Sequence, residues 1–471
     1  MKLLFRASIV ALALLACAQA QVVLHPTTTL DELVGNNTSA SSSYAGDLAG
    51  NAAPGNVSKL PLRSLLYPGA NTKIYAHLMG WFGGPGHMNV GYRSSDPTQL
   101  RRQVEDMVSR GISGVIASWD TNAMIQATVP LLLREAERHP GFEFAIELEE
   151  FGFRQYARTV SCDITEKVIS DLSEGQTLFQ SSPAYMRIGG RPVVFIFGIE
   201  KYYIDWSRVR REAPGNPLLI FRNPGAFAKS YSDGGFAWSE KSKSNPYDEM
   251  IGYLDDFYKA ALASPQKHAF GSAYAGFNDV LASWGQNKIM HQHCGQTWLN
   301  SFARAGRYYS ADKQLPALRL VTWNDYEEGT AIEPGVDNCV AVESAVSGNT
   351  LRWSVSGNQE TIHHFSVYIS GDGKNLMLLK DVSTSVRSFD LGSLGLSPGA
   401  YVLYVRAVGK AGILNKMSNA VRYVPGNQAP IASLVLSPAS GTAPLTVSAS
   451  TTGSRDPDGN VASSNLYFGD G

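Results

Sequence analysis

The stretch 318–335, LRLVTWNDYEEGTAIEPG, decides how this chain is read. Leu318, Leu320, Val321 and Thr322 form an apolar, β-type run that predicts a buried strand. It breaks at once into Asp325, Glu327, Glu328 and Glu333, with Tyr326 and two glycines among them. Barrel enzymes keep their catalytic groups in the loops that follow their strands. Acids this close repel and raise one another's pKa, which suits a site needing one protonated and one ionised carboxyl. A solvated acidic loop capping a strand would carry the same spacing.

Upstream, seven further β-type runs alternate with helical or glycine-bearing stretches: 74–80, 112–119, 142–148, 192–198, 217–221, 235–238 and 269–275. Between the first two, Leu100, Val104, Met107 and Val108 recur at helical spacing, with Arg101, Arg102, Glu105 and Asp106 opposite. Helices are also expected over 165–179 and 247–263. Eight strands alternating with helices over 71–340 predict an α/β fold, a (β/α)8 barrel, with a doubly wound sheet as the rival. The barrel is preferred because polar or aromatic residues end nearly every run, among them His77, Trp81, Asp120, Glu147, Glu149, Glu200, Arg222, Trp238, Glu240 and Tyr274. A doubly wound sheet gathers such groups at its switch point only.

The chain has 471 residues, which predicts two or more domains. With 17% charged residues and a net charge of −1, it offers no basic field for nucleic acid or anionic lipid. Lys2 and Arg6, the apolar run 7–16 and Ala18-Gln19-Ala20 have the layout of a secretory signal peptide over 1–20. Leu14-Leu15-Ala16-Cys17 is the competing reading, a lipobox whose Cys17 would carry a lipid anchor. Secreted or cell-surface localisation follows either way. No other apolar run reaches the roughly 18 to 20 residues of a membrane span. Residues 21–70, rich in Ser, Asn and Gly, read as a low-complexity linker, with sequons at Asn36, Asn37 and Asn56. Cys162, Cys294 and Cys339 allow one bridge at most, and His291-Gln292-His293-Cys294 lacks a second ligand pair at zinc spacing. Neither metal nor cofactor is expected.

From about 341 the pattern becomes period-two strands without helices, as in LRWSV at 351–355, FSVYI at 365–369 and 401–408. Leu396-Ser397-Pro398-Gly399-Ala400-Tyr401 and the strand after it resemble a fibronectin type III domain over 341–425, with Tyr401 at its tyrosine corner. Residues 426–471, with Ser454-Arg455-Asp456-Pro457-Asp458-Gly459 and a closing FGDG, resemble the first half of a PKD domain. A truncated module of that kind is not expected to close a core alone. The barrel, by contrast, is expected to fold over 60–340 without the modules that follow it.

WNDYEEGTAIEP at 323–334 resembles the last-strand motif of glycoside hydrolase family 99, the endo-acting α-mannosidases and mannanases, and IYAHLMGWF with WNDY is similar to the α-1,3-glucanases of family 71. The resemblance implies a barrel that cleaves internal α-linkages of a polysaccharide. It puts the general acid/base at Glu328 and, at Asp325, the acid that helps the sugar 2-hydroxyl attack its own anomeric carbon. Glu147 would contact the sugar. Leu148-Glu149 departs from the family's Pro-Tyr after that glutamate, and Asp325 is one methylene shorter than the family's residue. The residues agree with this without the family, because glycosidic cleavage needs a protonated carboxyl at the leaving oxygen and an ionised one near the anomeric carbon or its nucleophile.

Asp120, Trp81, Trp238, Tyr274 and Tyr326 join Glu147 as candidate substrate-binding residues. Tyr92, Trp119, Phe151 and Trp284 are further aromatics near strand ends, and any one of these rings is more often core than platform. An extended segment would turn Glu327 away from the cleft. No G-x-S-x-G follows a strand, which excludes a nucleophile elbow. A non-catalytic sugar-binding or adhesion protein remains the alternative class.

Overall fold

A computed structural model describes residues 24–34, 56–160, 162–240, 245–426, 430–442, 444–455, 461 and 463–467. The signal-peptide stretch with Cys17, and Asn36 and Asn37, lie outside the described residues.

Eight parallel strands close into a barrel: β1 (Lys73–Leu78), β2 (Gly114–Trp119), β3 (Glu143–Glu149), β4 (Arg191–Phe197), β5 (Leu218–Arg222), β6 (Gly234–Phe236), β7 (His268–Tyr274) and β8 (Ala317–Val321). Each pairs in parallel with the next, and β8 closes on β1 with Leu318 opposite Ile74. Strands covered on both faces must be apolar on both, so they read as continuous runs rather than alternations. The interior is filled by side chains from several strands, Phe195 of β4 lying 5.0 Å from Phe270 of β7 and 5.7 Å from Phe236 of β6 between ring centroids.

The connections carry α1 (Pro97–Ser109), α2 (Ala123–Ala136), α3 (Glu150–Thr159), α4 (Thr165–Leu178), α5 (Trp206–Glu212), α6 (Ile251–Leu262) and α7 (Gln296–Arg304). Asp96 starts α1 by accepting the Thr98 amide at 2.8 Å, with Pro97 in the first turn, and the helix buries Leu100, Val104 and Met107. Between β5 and β6 there is only the 3-10 turn Pro224–Ala228.

Residues 341–423 form two antiparallel sheets. One orders β9 (Ala341–Ser347), β10 (Thr350–Ser356) and β13 (Ser388–Asp390). The other contains β11 (Ile362–Ser370), β12 (Asn375–Val382), β14 (Tyr401–Gly409), β15 (Lys416–Met417) and β16 (Val421–Tyr423). Leu351, Phe365, Val367, Leu403 and Val405 fill the space between them, and the Tyr401 hydroxyl donates to the Ser397 carbonyl at 2.8 Å. Beyond, β17 (Val435–Ser437) pairs with β18 (Ser448–Ser450), leaving Val435, Leu436 and Val447 exposed.

Two expectations about independent segments are corrected. The stretch 21–70 is not simply a linker. Thr28–Thr29 pairs with β12, Leu30 and Leu33 pack on Tyr368, Leu376 and Tyr404, and Leu62, Leu66 and Tyr67 enter the barrel core. Its Ser and Asn content masks those apolar residues. Nor is the barrel core complete at 340. Ala411 and Ile413, from the turn after β14, are buried in it, and Trp298 Nε1 donates to the Ala411 carbonyl at 3.0 Å. Val336 bonds Gly412 and Leu414 through its backbone, and the Cys294–Cys339 disulfide ties α7 to the same junction.

Candidate active site

The C-terminal ends of β1 to β8 gather the groups that the sequence singles out. The loop after β8 is seated on β1: the Trp323 amide donates to the His77 carbonyl at 2.6 Å, and the Asn324 side chain bonds the Met79 amide and carbonyl at 2.8 and 3.0 Å. From outside the barrel, Arg110 holds the Ile332 and Glu333 carbonyls at 2.8 and 2.7 Å and pairs with Asp106. Glu333 is buried and accepts from Tyr92, Tyr326, Gln99 and Gln103. Burial still pushes its carboxyl up to about 7.

This clamp fixes a turn at Tyr326–Gly329, so the segment is not extended. Asp325 is buried, and its Oδ1 accepts the Glu328 amide at 2.9 Å. Burial, with the Glu328 charge second, holds Asp325 well above the usual carboxylate range. Glu328 stays partly exposed, and its Oε1 accepts Trp284 Nε1 at 3.2 Å. Glu327 does diverge from Glu328, but into the protein rather than away from the mouth. It is buried, accepting the Met88 amide at 2.9 Å and meeting His87 Nδ1 at 2.9 Å. His87 stacks on Trp81 at 4.9 Å and 8°, and Trp284 stands edge-on to Trp81 at 5.9 Å. Glu327 and Glu328 therefore hold different rings of one aromatic cluster, His87 and Trp284.

Glu147 lies deeper. It is fully buried and both its oxygens are taken by Arg319 of β8, so sugar contact would require breaking that pair. Arg319 also reaches His77 Nδ1, and His77 Nε2 meets Ser118 Oγ at 2.8 Å. His77, Glu147 and Glu149 are close enough to share a metal ion. A cation there would have to displace the guanidinium that already neutralises Glu147, so the donor set does not fit one. Cys294 is no thiolate ligand either, being half of the disulfide.

Of the remaining candidates, Asp120 directly follows β2 and is partly exposed; burial raises its pKa, and its Oδ1 accepts the Asn122 amide at 2.6 Å. Trp81 lines the aromatic cluster. Trp238 is buried inside the barrel, 5.1 Å from His77 and 4.6 Å from the Arg319 guanidinium. Tyr274 and Tyr326 are fully buried, their hydroxyls donated to the Glu249 carbonyl at 2.8 Å and to Glu333 at 2.7 Å. As platforms for a sugar these two are closed off. His87 carries no signal in its glycine-rich loop, whereas Arg319, absent from the sequence candidates, has one, being a charge inside an apolar strand.

Neither a family model nor a curated protein matches the chain. Solved structures similar to it include a GH99 endo-α-mannosidase from Bacteroides thetaiotaomicron, at 18% identity over 57% of this chain and 89% of that one, with a TM-score of 0.44. A glycoside hydrolase-like protein is 15% identical over 56% of this chain and 87% of that one, with a TM-score of 0.41. Likeness at this distance assigns no role to any residue here.

Proposed function

We propose that this chain is an exported glycoside hydrolase that cleaves internal α-linkages of a polysaccharide of the α-mannan or α-1,3-glucan type. The observation that carries the reading is the pairing of Asp325, enclosed and held above its usual range, with the partly exposed Glu328 on the same turn. Glu328 gives its proton to the leaving oxygen as the C1–O bond breaks. Asp325, whose raised pKa makes its carboxylate a stronger base, takes the proton of the sugar 2-hydroxyl as that oxygen bonds to C1. Water then attacks C1 and gives its proton to Glu328, while the C1–O2 bond breaks and Asp325 returns its proton to O2. Trp81 and Trp284 supply apolar ring surface beside the pair, with Trp284 42% exposed. The 1–20 layout and the Cys294–Cys339 disulfide, a bond of oxidising compartments, favour export. The two-sheet order and Tyr401 favour the fibronectin type III reading of 341–425.

The test is turnover of α-mannan and α-1,3-glucan beside an α-glycosyl fluoride. Glu328→Gln should lose about 10²- to 10⁴-fold on polymer and much less on the fluoride, whose leaving group needs little protonation. Asp325→Asn should lose on both. A wild-type protein that binds either glycan and cleaves neither would instead be a binding or adhesion protein.

A further inference from the structure

Four neighbouring strands of the barrel each contribute a polar side chain to one connected path. A guanidinium can only donate, so Arg319 of β8 makes His77 Nδ1 an acceptor. Burial, and next the Arg319 charge, hold the His77 pKa well below its ordinary value, so the ring is neutral and its proton sits on Nε2. That Nε2–H donates to Ser118 Oγ of β2 at 2.8 Å. The Ser118 hydroxyl proton is therefore free to go onward, and it meets Glu149 Oε1 at 2.8 Å. The path runs one way, from Arg319 through His77 and Ser118 to Glu149.

Glu149 is the last residue of β3, and its side chain is 16% exposed where Glu147 is closed off. Ser118 Oγ also lies 3.5 Å from Met79 Sδ, and Met79 carries Asn324 beside Asp325, so Glu149 opens on the same mouth as the proposed catalytic turn. Among the described residues nothing bonds Oε2. We propose that Glu149 is a substrate-binding residue whose Oε2 hydrogen-bonds an oxygen of the sugar ring or its hydroxyls, with Oε1 fixed by Ser118. This rests on the hydrolase reading. Burial first, and then the charges of Glu147 and Asp120, raise the carboxyl's pKa well above its ordinary value, which favours the protonated form, with Oε2 as the oxygen not taken by Ser118. Glu149 is then a neutral donor pointed at the ligand, and Ser118 is a positioning residue behind it.

The experiment measures KM and kcat on α-1,3-glucan and α-mannan, and affinity for their oligosaccharides in a Glu328→Gln background. Glu149→Ala should raise KM and weaken affinity about tenfold to hundredfold, with kcat within about threefold, as for a lost hydrogen bond to a buried polar partner. Glu149→Gln should recover most of that, because its carbonyl accepts from Ser118 and its amide donates where Oε2–H did. Ser118→Ala should fall between. Unchanged KM in Glu149→Ala, a fall in kcat at constant KM, or no recovery in Glu149→Gln each overturns the assignment. Wild-type protein that neither binds nor cleaves either glycan overturns the hydrolase reading itself, a distinct result.

Discussion

Glu333 makes the stability of the clamp behind the catalytic turn depend on pH in a calculable way. Its two oxygens accept from four donors, yet burial raises its pKa from an ordinary 4.5 to about 7. A raised acid binds its proton more tightly folded than unfolded. Its contribution is fully present below about 4.5 and is lost as pH rises through about 7. That rise corresponds to about 3 kcal/mol across the window. Glu333→Gln cannot ionise, and it keeps an acceptor for Gln99 and Gln103 while its amide can face the two tyrosine hydroxyls. Urea unfolding of both proteins from pH 4 to pH 8 isolates the residue, since all other titrations cancel in the difference. The stability of the variant relative to wild type should climb by about 3 kcal/mol, most of it between pH 5 and 7. A flat difference, or one that falls with pH, would mean that the four donors outweigh burial and hold Glu333 ionised.

The shared core predicts that barrel and sandwich stand or fall together. Ile413→Ala should cost about 2–5 kcal/mol in urea although it lies in the sandwich segment, and the fragment 60–340 should lose cooperative unfolding. A fragment that melts at the full-length midpoint would show the junction to be dispensable. Glu327→Gln should not be silent. Its amide can satisfy only one of Met88 and His87 as an acceptor, at a cost of about 1–3 kcal/mol, and the Trp81–His87–Trp284 cluster should shift with a fall in turnover. A variant matching wild type in both midpoint and turnover would reduce Glu327 to a bystander.

How much of this was legible in the sequence depended on whether a feature was local. The barrel strands were, because covering both faces makes each a continuous apolar run, as in GVIASW and RPVVFIF. That Asp325 and Glu328 lie together was also readable, because they are three positions apart, and the Glu328 amide bonds Asp325 Oδ1. What was not legible came from distance or from an irregular backbone. Glu327 was read on an extended segment, but a turn closes at Gly329 with φ +60° and sends it toward His87, in a loop with no periodicity to read. Ala411 and Ile413 sit in a turn with no periodicity to mark them, and their burial in the barrel core depends on residues distant in sequence.

The third strand shows the limit most plainly. Glu143, Ala145, Glu147 and Glu149 share one face by period two, and the bonds of Glu143 to Tyr75, Glu147 to Arg319 and Glu149 to Ser118 put that face inside the barrel. Alternation alone thus places both later glutamates inward, with Glu149 nearer the mouth. It does not say which one is consumed by a partner. That is decided by Arg319, 172 positions away from Glu147, and only closure of β8 onto β1 brings it there. A charge inside a strand buried on both faces must find a countercharge. Arg319 in LRLV was therefore a readable demand for an acid within the barrel. Once Glu147 meets it, Glu149 is the carboxyl of this strand left facing the opening.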